Sequence, residues 1–323
     1  MSTTDIIIVN WNTALLLRMC LASLLNYTDM LGCRITVVDN GSMDGSAELI
    51  KREFPLVATI RNAVNVGFAK ANNQVINQSS AEYVCLVNSD IEFRSDAIGM
   101  MTRYLDEKPD SIACAPALAL PDGRLQAGAG GYLFTVTHAW NYYLFLSTLM
   151  PFWFKGIMID QNHLVRRKRP VRLDWLSGAC LMVRRCAIAQ SGLLDESYFM
   201  YAEDVELFDR LRLSGSVWYL PQIQVVHNHG GSSRNDGLPA TAWMDSMFRY
   251  MRSRTSPWGF FLFRLSAIIG YALRAIIYGL TVLLGGTSFR KSRAMLHYMR
   301  HAFVAGNGMN MPRTMGDPDP GPS

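Results

Sequence analysis

The chain has 323 residues and a net charge of +5, and half of its residues are hydrophobic. This composition supplies enough apolar side chains for a folded core and excludes general disorder. The length indicates one large α/β domain with an appendage, or two domains. The six cysteines form no CxxC pair, and the N-terminus enters an apolar strand without a signal-peptide pattern. We therefore expect an intracellular protein with reduced thiols.

Strands and helices alternate through the first part of the chain. The predicted strands are residues 5–10, 34–39, 57–62, 82–88 and 111–116, and the helices between the first four are 13–27, 46–54 and 69–78. Strands that recur with a helix between them form a mainly parallel sheet covered on both faces. The pattern therefore predicts an α/β fold with a Rossmann-like sheet.

Polar residues stand where the predicted strands end. They are Asn10, Asp39, Asn62 and the segment 88–90. In parallel sheets, ligands bind beyond the carboxyl ends of the strands. We therefore expect a binding site at this edge, although any single Asn or Asp there also suits a helix cap or a turn.

The pattern changes after residue 118. The segment 120–126 (LPDGRLQ) predicts a hairpin, and strands are predicted within 174–185 and 216–230, the second ending on His227 and His229. The aromatic segment 132–154 and the basic run 166–172 are typical of a mobile or membrane-facing insertion. No internal repeat is evident.

Three groups of residues suggest chemistry. Glu203 and Asp204 follow an aromatic cluster and begin an apolar helix; such a pair is costly to desolvate, although it also suits a helix N-terminus. Asp90 follows an apolar strand and can hold Mg²⁺ or Mn²⁺, although it can equally cap the next helix. His227 and His229 alone do not complete a zinc site. Together they indicate metal-assisted group transfer with Asp204 as the base.

The C-terminal part combines basic charge with apolar character. Residues 246–316 contain no Asp or Glu but ten Arg and Lys, and the apolar stretch 257–286 is interrupted by Arg264 and Arg274. We expect one or two helices in the membrane interface, with both arginines reaching one polar edge and anionic headgroups. The alternatives are a helical hairpin on the protein's own core and, less favoured, a membrane span. No nucleic-acid-binding motif accompanies the charge.

The ordered motif set resembles family 2 of the inverting nucleotide-sugar glycosyltransferases, in particular its bacterial rhamnosyltransferase-like branch. The motifs are IIIVNWN, VVDNGSMDGS, NVGFAKANN, LVNSDIE, WLSGACLMVRR, FMYAEDVELFDRLRLSG and VVHNHGGSS, between Asp5 and Ser233. The resemblance implies a GT-A fold. It divides the chain into a GT-A domain at 1–245, with a nucleotide-binding half at 1–118 and an acceptor-binding half at 119–245. A membrane-associating helical region at 246–311 and a disordered tail at 312–323 would follow.

The resemblance also implies roles on the donor side. Asp39 resembles the residue that hydrogen-bonds the nucleobase, with Asn10 beside it. Asn65, Gly67 and Asn72 resemble the loop and helix that let the backbone approach the nucleotide. Trp175, Ser177 and Gly178 resemble the wall under the donor sugar.

The residues Asn88, Ser89 and Asp90 fill the place of the family's Asp-x-Asp motif. Because Asn88 replaces the first Asp, Asp90 supplies the only carboxylate from this motif to the expected Mg²⁺ or Mn²⁺. His227 matches the second metal ligand of some relatives. Asp204 matches the catalytic base, and Glu203 would position the acceptor or the base.

The implied reaction is inverting transfer of a sugar, foremost rhamnose from dTDP-rhamnose, to a polyprenyl-diphosphate-linked or glycan acceptor in cell-surface glycan synthesis. Such an enzyme would lie on the inner face of the plasma membrane as a peripheral protein, with no nucleic-acid partner. The alternatives are a transferase that uses UDP-hexose or UDP-galactofuranose, and a catalytically silent membrane-bound partner of an assembly complex. A nucleotidyltransferase would carry a Gly-rich basic loop after the first strand, and the sequence there does not resemble one. A hydrolase of activated sugars would use water as its acceptor, whereas the aromatic insertion favours an organic acceptor.

Overall fold

The structure is a computed structural model that describes residues 2–159, 161, 168–228, 241–283 and 289–304. Its strands are β1 (Thr4–Asn10), β2 (Cys33–Asp39), β3 (Ala58–Arg61), β4 (Tyr83–Asn88), β5 (Ile91–Phe93), β6 (Ser111–Ala119), β7 (Gly130–Gly131), β8 (Val171–Leu173), β9 (Trp175–Leu176), β10 (Cys180–Arg184) and β11 (Ser216–His227). Its helices are α1 (Ala14–Tyr27), α2 (Ser46–Glu53), α3 (Phe68–Ile76), α4 (Ala97–Glu107), α5 (Val136–Tyr143), α6 (Leu146–Leu149), α7 (Arg185–Ser191), α8 (Glu203–Leu211), α9 (Ala242–Arg254), α10 (Pro257–Leu283) and α11 (Phe289–Val304). The expected tail at 312–323 and His229 lie outside the described residues.

One large sheet organises the chain. Its order is β3-β2-β1-β4-β10-β6-β11-β5, and β8 pairs with β11. The first four strands in this order are parallel, and β11 runs parallel to β6, whereas β10 is antiparallel to both of its neighbours. The prediction of an α/β fold with a mainly parallel sheet is confirmed.

The central strands are buried on both faces. Ile6, Ile7 and Ile8 of β1 are all fully buried, and successive side chains of a strand point to opposite faces. Helices must therefore cover both sides of the sheet, which is why β1 is a continuous apolar run without alternation.

The register gathers the polar strand ends at one edge. Asn10 pairs with Asp39 across β1 and β2, and Asn88 of β4 lies opposite Val9 of β1. On the other side of the sheet, antiparallel pairing of β5 with β11 sets His227 opposite Ile91. The last residue of β11 thus reaches the turn after β4, where Asp90 lies.

The helical region after β11 is built onto the main domain. One face of α10 is buried at every turn between Phe260 and Ala275, and α11 packs beside it, where Ser292 donates to the Ala275 carbonyl at 3.0 Å. The described residues include one helix long and apolar enough to cross a membrane, Pro257–Val282. The boundary proposed at residue 245 falls inside α9.

The expectation for the two arginines of α10 is wrong. Arg264 donates to the carbonyls of Ala302 and Phe303 at the end of α11, at 3.2 and 2.6 Å. Arg274 donates to the carbonyl of Tyr143 at 2.7 Å. Both guanidinium groups satisfy carbonyls that a helix terminus leaves without intrahelical partners, so they face the protein and do not form a polar edge toward lipid.

Candidate active site

A cavity of about 330 Å³ opens at the carboxyl ends of the strands. The predicted site residues that line it are Asn65, Asn88, Asp90, Trp175, Ser177, Gly178, Glu203, Asp204 and His227. The predicted residues that lie behind its wall are Asn10, Asp39, Gly67 and Asn72. The structure therefore collects residues from distant parts of the chain into one cavity and its supporting layer.

Asn10 and Asp39 form the buried support of the donor side. The Asn10 amide donates to Asp39 Oδ1 at 3.0 Å and to the Ser42 hydroxyl at 3.1 Å, and Asp39 Oδ2 accepts from the Ser42 backbone N–H at 3.3 Å. Thr13 donates to Asn10 Oδ1 at 2.7 Å and lines the cavity itself. Each oxygen of the Asp39 carboxylate thus has a partner, so the network fixes the loops after β1 and β2.

Gly67 joins the donor loop to the segment before α8. Its φ is +86°, and a Cβ added there would lie 2.7 Å from the Phe199 carbonyl oxygen. The Asn65 side chain accepts from the Gly67 N–H at 3.0 Å and holds the loop. Asn72 is buried and donates to the Phe68 carbonyl at 2.9 Å, so it stabilises the first turn of α3 from behind the cavity. Glycine is required at residue 67 because two backbone segments meet there.

Asp90 and His227 form a contacting pair on the cavity wall. His227 Nε2 lies 3.0 Å from Asp90 Oδ1 and 3.5 Å from the Asn88 amide nitrogen. His227 Nδ1 lies 2.6 Å from Gln126 Oε1. Because a carbonyl oxygen can only accept, this contact places a proton on Nδ1 and leaves Nε2 facing Asp90.

This pair matches a divalent cation site completed by a ligand. Asp90 Oδ1 and His227 Nε2 lie 3.0 Å apart, close enough for one cation to contact both. Mg²⁺ takes one or two protein ligands together with phosphate oxygens and water. Within the described ranges no group of three His, Cys, Asp or Glu side chains could hold a metal. Asp90 and His227 alone thus fit a cation that would take its other ligands from phosphate oxygens and water. Glu92, the other acidic residue of the NSDIE segment, pairs with Arg94 at 3.0 Å.

A strained turn brings Glu203 and Asp204 to the same cavity from another segment of the chain. Tyr201 and Ala202 have φ of +68° and +64°, a conformation that non-glycine residues rarely adopt outside functional sites. Asp204 Oδ2 accepts from the Gly178 N–H at 3.1 Å, and Oδ1 accepts from the Val205 N–H at 2.8 Å. The Asp204 carboxylate, at the start of α8, is thus oriented by two backbone N–H donors from different segments.

The two acids differ in how well they are satisfied. Glu203 is buried, and its Oε2 has no hydrogen-bond partner among the residues that the structure describes. Burial, and then the neighbouring Asp204, raise the pKa of Glu203 well above its usual range. Burial also raises the pKa of Asp204, while the N–H groups of Gly178 and Val205 oppose the rise. A carboxylate with a raised pKa at a cavity wall is suited to accept a proton.

Trp175, Ser177 and Gly178 form the floor between these walls. Trp175 is buried and donates from its indole N–H to the Ile157 carbonyl at 2.9 Å, which fixes the ring. A Cβ added at Gly178 would lie 3.2 Å from the Phe68 ring. The floor is therefore rigid, and glycine lets α3 and the segment after β9 approach each other.

Several cavity residues carry no signal in the sequence. Gln126 sits in the predicted hairpin, and Trp11, Met200, Trp243 and Met247 line the cavity from three other segments. Only the apolar character of α9 hints at the last two. Sequence reasoning misses them because their role depends on which surfaces the fold brings together.

Comparison with known proteins agrees with this geometry. The sequence profile "Glycosyl transferase family 2" matches residues 5–169. The N-acetylglucosaminyl-diphospho-decaprenol L-rhamnosyltransferase of Mycobacterium tuberculosis is 30% identical over 244 residues, which cover 69% of this chain and 76% of that protein.

Solved structures share the fold. A mannosyltransferase from Pyrobaculum calidifontis, in complex with GDP-Man and Mn²⁺, superposes with a TM-score of 0.57 at 14% identity and covers 94% of this chain and 86% of its own. GalNAc-T7 with UDP, GalNAc and Mn²⁺ gives a TM-score of 0.57 at 15% identity over 78% of this chain, which spans about half (48%) of that protein. The expected GT-A fold is confirmed.

Proposed function

Because the chain belongs to glycosyl transferase family 2 and is a glycosyltransferase, we propose that it moves rhamnose from dTDP-rhamnose to a polyprenyl-diphosphate-linked or glycan acceptor, with inversion. The observation that carries this proposal is one cavity with Asp204 on one wall and the Asp90–His227 pair on the other. The similarity to a decaprenol-linked rhamnosyltransferase supports both the sugar and a role in bacterial cell-surface glycan synthesis.

Asp204 acts as the base in this proposal. The acceptor hydroxyl attacks the anomeric carbon, a C–O bond forms, and the bond to the diphosphate oxygen breaks on the opposite face. The hydroxyl proton passes to Asp204, and the nucleoside diphosphate leaves. One base on one face gives inversion. Glu203, which is adjacent and buried, positions Asp204 or the acceptor.

Asp90 and His227 would hold Mg²⁺ or Mn²⁺ together with the donor diphosphate. Bound there, the cation neutralises negative charge on the leaving diphosphate. Both similar solved structures contain Mn²⁺, which supports a divalent cation here. Gln126 keeps Nδ1 of His227 protonated, so Nε2 stays available as a ligand.

The donor occupies the side of the cavity formed by the strand ends. Asn65 and the floor residues Trp175, Ser177 and Gly178 are in direct reach of a ligand. Asn10, Asn72 and Gly67 support this wall from behind. A nucleobase contact with Asp39 stays a prediction, since the network now holds that carboxylate.

The proposed acceptor sets the location of the enzyme. A cytosolic donor and a lipid-linked acceptor meet only at the inner face of the plasma membrane. We therefore propose a cytoplasmic, peripheral enzyme with membrane lipid as a partner of the α10–α11 region.

A donor panel tests the proposal directly. Purified protein with Mg²⁺ or Mn²⁺ is incubated with dTDP-rhamnose, UDP-hexoses or UDP-galactofuranose, and the melting temperature is measured. A donor at about 100 times its dissociation constant adds about 2.7 kcal/mol of stability. Selective, metal-enhanced stabilisation by dTDP-rhamnose is the expected result; a UDP sugar in its place would replace the donor assignment. Absence of any nucleotide binding would favour a catalytically silent partner.

The stereochemistry needs its own measurement. NMR of the product linkage, compared with the anomeric configuration of the donor, gives the outcome at the anomeric carbon. Inversion agrees with a single base at Asp204. Retention would contradict the proposed mechanism while leaving the donor assignment intact.

A further inference from the structure

The outward face of α10 is apolar along its whole described length. Its exposed residues include Trp258, Leu262, Ile269, Ile276, Ile277 and Leu280. Their spacing places them on one side of a helix. Arg264 and Arg274 lie on the other side, where protein carbonyls bind them. The charges that interrupt this stretch in the sequence therefore do not interrupt the exposed stripe.

The outward face of α11 is basic and apolar. Arg290, Arg293 and Arg300 are exposed, as are Leu296 and Phe303. Residues 246–316 contain no acidic residue. Because α10 and α11 pack along each other, the apolar stripe and the basic face adjoin. An apolar face beside cationic side chains complements a surface with a hydrocarbon interior and anionic headgroups.

The packing of α10 decides its orientation relative to such a surface. The helix is buried against the main domain at Phe260, Phe263, Ala267, Tyr271 and Ala275. A helix that crossed the bilayer would bring α5 and α9, on which it packs, into the hydrocarbon. In-plane docking instead leaves those elements in water and buries only the outward stripe.

We propose that the outward faces of α10 and α11 dock on anionic lipid headgroups, with α10 lying in the plane of the bilayer interface. The inference rests on the proposed function, which places the lipid-linked acceptor in the membrane. Trp243 and Met247 of α9 line the cavity, and α10 begins three residues after α9 ends. The docking face and the part of the cavity lined by α9 thus belong to consecutive helices, so docking holds the cavity beside the membrane.

Vesicle co-sedimentation of the full chain tests the proposal. The vesicles contain phosphatidylcholine with or without phosphatidylglycerol. The outward-face variant carries Leu262→Gln, Ile269→Gln and Ile276→Gln, and the matched control carries Leu15→Gln, Leu56→Gln and Leu213→Gln, which are at least as exposed but lie on the main domain. We expect the outward-face variant to partition at least about tenfold more weakly, and the control to bind like wild type.

The arginines test the electrostatic part. Replacing Arg290, Arg293 and Arg300 by Gln should weaken binding to anionic vesicles about fivefold per arginine, with no change on neutral vesicles. Salt should reduce wild-type binding in the same way. Equal partitioning of wild type and the outward-face variant, or no binding by wild type, would overturn the proposal.

Two further measurements distinguish docking on lipid from self-association and from loss of the catalytic fold. The first is the oligomeric state. If wild type is a dimer, the outward-face variant is a monomer and neither binds vesicles, then the outward face joins two copies of the chain and the proposal fails. Thermal stabilisation by donor reports on the catalytic domain independently. A variant that keeps donor stabilisation but leaves vesicles supports docking, and failure of donor binding with intact docking counts against the proposed function alone.

Discussion

The two walls of the cavity are built in opposite ways. On the donor side, Asn10, Asp39 and Ser42 form a closed network, and the unsatisfied buried group there, among the described residues, is the neutral amide oxygen of Asn72. On the acceptor side, Glu203 Oε2 has no partner in the described part of the chain, and the turn before it contains two left-handed residues.

This difference separates binding from chemistry. A satisfied network is rigid and costs little, so it suits a surface that recognises the same nucleotide in each cycle. An unpaired buried carboxyl group and a strained turn are costly, and such costs persist where a reaction uses them. In the proposed mechanism, the donor wall therefore serves as a scaffold, and the acceptor wall carries the reactive groups.

Neutralising the base gives the largest expected effect. Asp204→Asn should lower kcat about 10²–10⁴-fold, because the amide cannot accept the hydroxyl proton. Donor stabilisation should stay unchanged, because Asn keeps a side-chain oxygen that accepts from the Gly178 N–H of the floor. The measurement is turnover with a synthetic lipid-linked acceptor, together with the melting temperature with donor. The control is Asp209→Asn on the same helix, whose carboxylate pairs with Arg212 at 3.1 Å; equal losses in both variants would contradict the assignment.

The pH profile sharpens the same assignment. Asp204 must be ionised to act, and burial raises its pKa. Activity should therefore rise with pH through a value above the usual range of Asp and fall away below it. A profile of kcat that is flat down to pH 4 would remove Asp204 from the role of base.

The next largest effect is expected for metal binding by Asp90 and His227. Replacing Gln126 by Met removes the acceptor of the His227 Nδ1 proton and should weaken Mn²⁺ binding about 10–100-fold. Gln126→Glu keeps an acceptor and should retain the affinity. Electron paramagnetic resonance of free Mn²⁺, with nucleoside diphosphate present, measures the change without turnover. If both variants bind Mn²⁺ like wild type, His227 does not depend on Gln126.

The junction between the two walls can be broken at Gly67. Gly67→Ala and Gly45→Ala both place a Cβ on a backbone of nearly equal φ, +86° and +85°, but only residue 67 has a neighbour within reach. The left-handed backbone at residue 45 (ψ 11°) should cost Gly45→Ala about 1–2 kcal/mol. Residue 67 has ψ 169°, which together with its φ is a conformation that essentially only glycine adopts, so this strain and the contact with Phe199 should together cost Gly67→Ala about 1–3 kcal/mol more, measured by urea unfolding. Equal costs would show that the Phe199 segment moves freely relative to the donor loop.

The first half of the chain is readable from sequence because its signals are local. Buried strands such as β1 are continuous apolar runs, and polar residues mark their carboxyl ends at Asn10, Asp39 and Asn88. The acid pair is visible for the same reason, since both residues are adjacent and begin α8. These features depend on the segment alone and on the rule that ligands bind at strand ends.

The other features depend on distant neighbours. A helical wheel shows that Arg264 and Arg274 share a side of α10, but the side that meets protein is decided by α5 and α11. Gln126 and His227 are 101 residues apart and meet only through the sheet. The antiparallel insertion of β10 between β4 and β6 is equally invisible, because pairing order is a property of the whole sheet.

The smallest expected effect tests how much the buried Glu203 side chain lowers the stability of the folded protein. Glu203→Gln should stabilise the protein by about 1–2 kcal/mol at neutral pH, because burial and the neighbouring Asp204 disfavour the charged form of Glu203, whose Oε2 has no partner in the described part of the chain. The raised pKa fixes the sign: the folded state favours the protonated acid, so stability falls as pH rises from the usual pKa of Glu to the raised one. The gain should therefore vanish below about pH 4, where Glu is protonated in both states.

Glu206→Gln provides the opposite case on the same helix. Glu206 pairs with Arg210 at 2.7 Å and with Arg254 at 3.3 Å, so its neutralisation should destabilise the protein at neutral pH. Thermal unfolding of both variants across pH measures the two effects together. Equal changes in both variants would mean that Glu203 acquires a partner in solution. The acceptor wall would then be as well satisfied as the donor wall, and the strained turn at Tyr201 and Ala202 alone would distinguish the two.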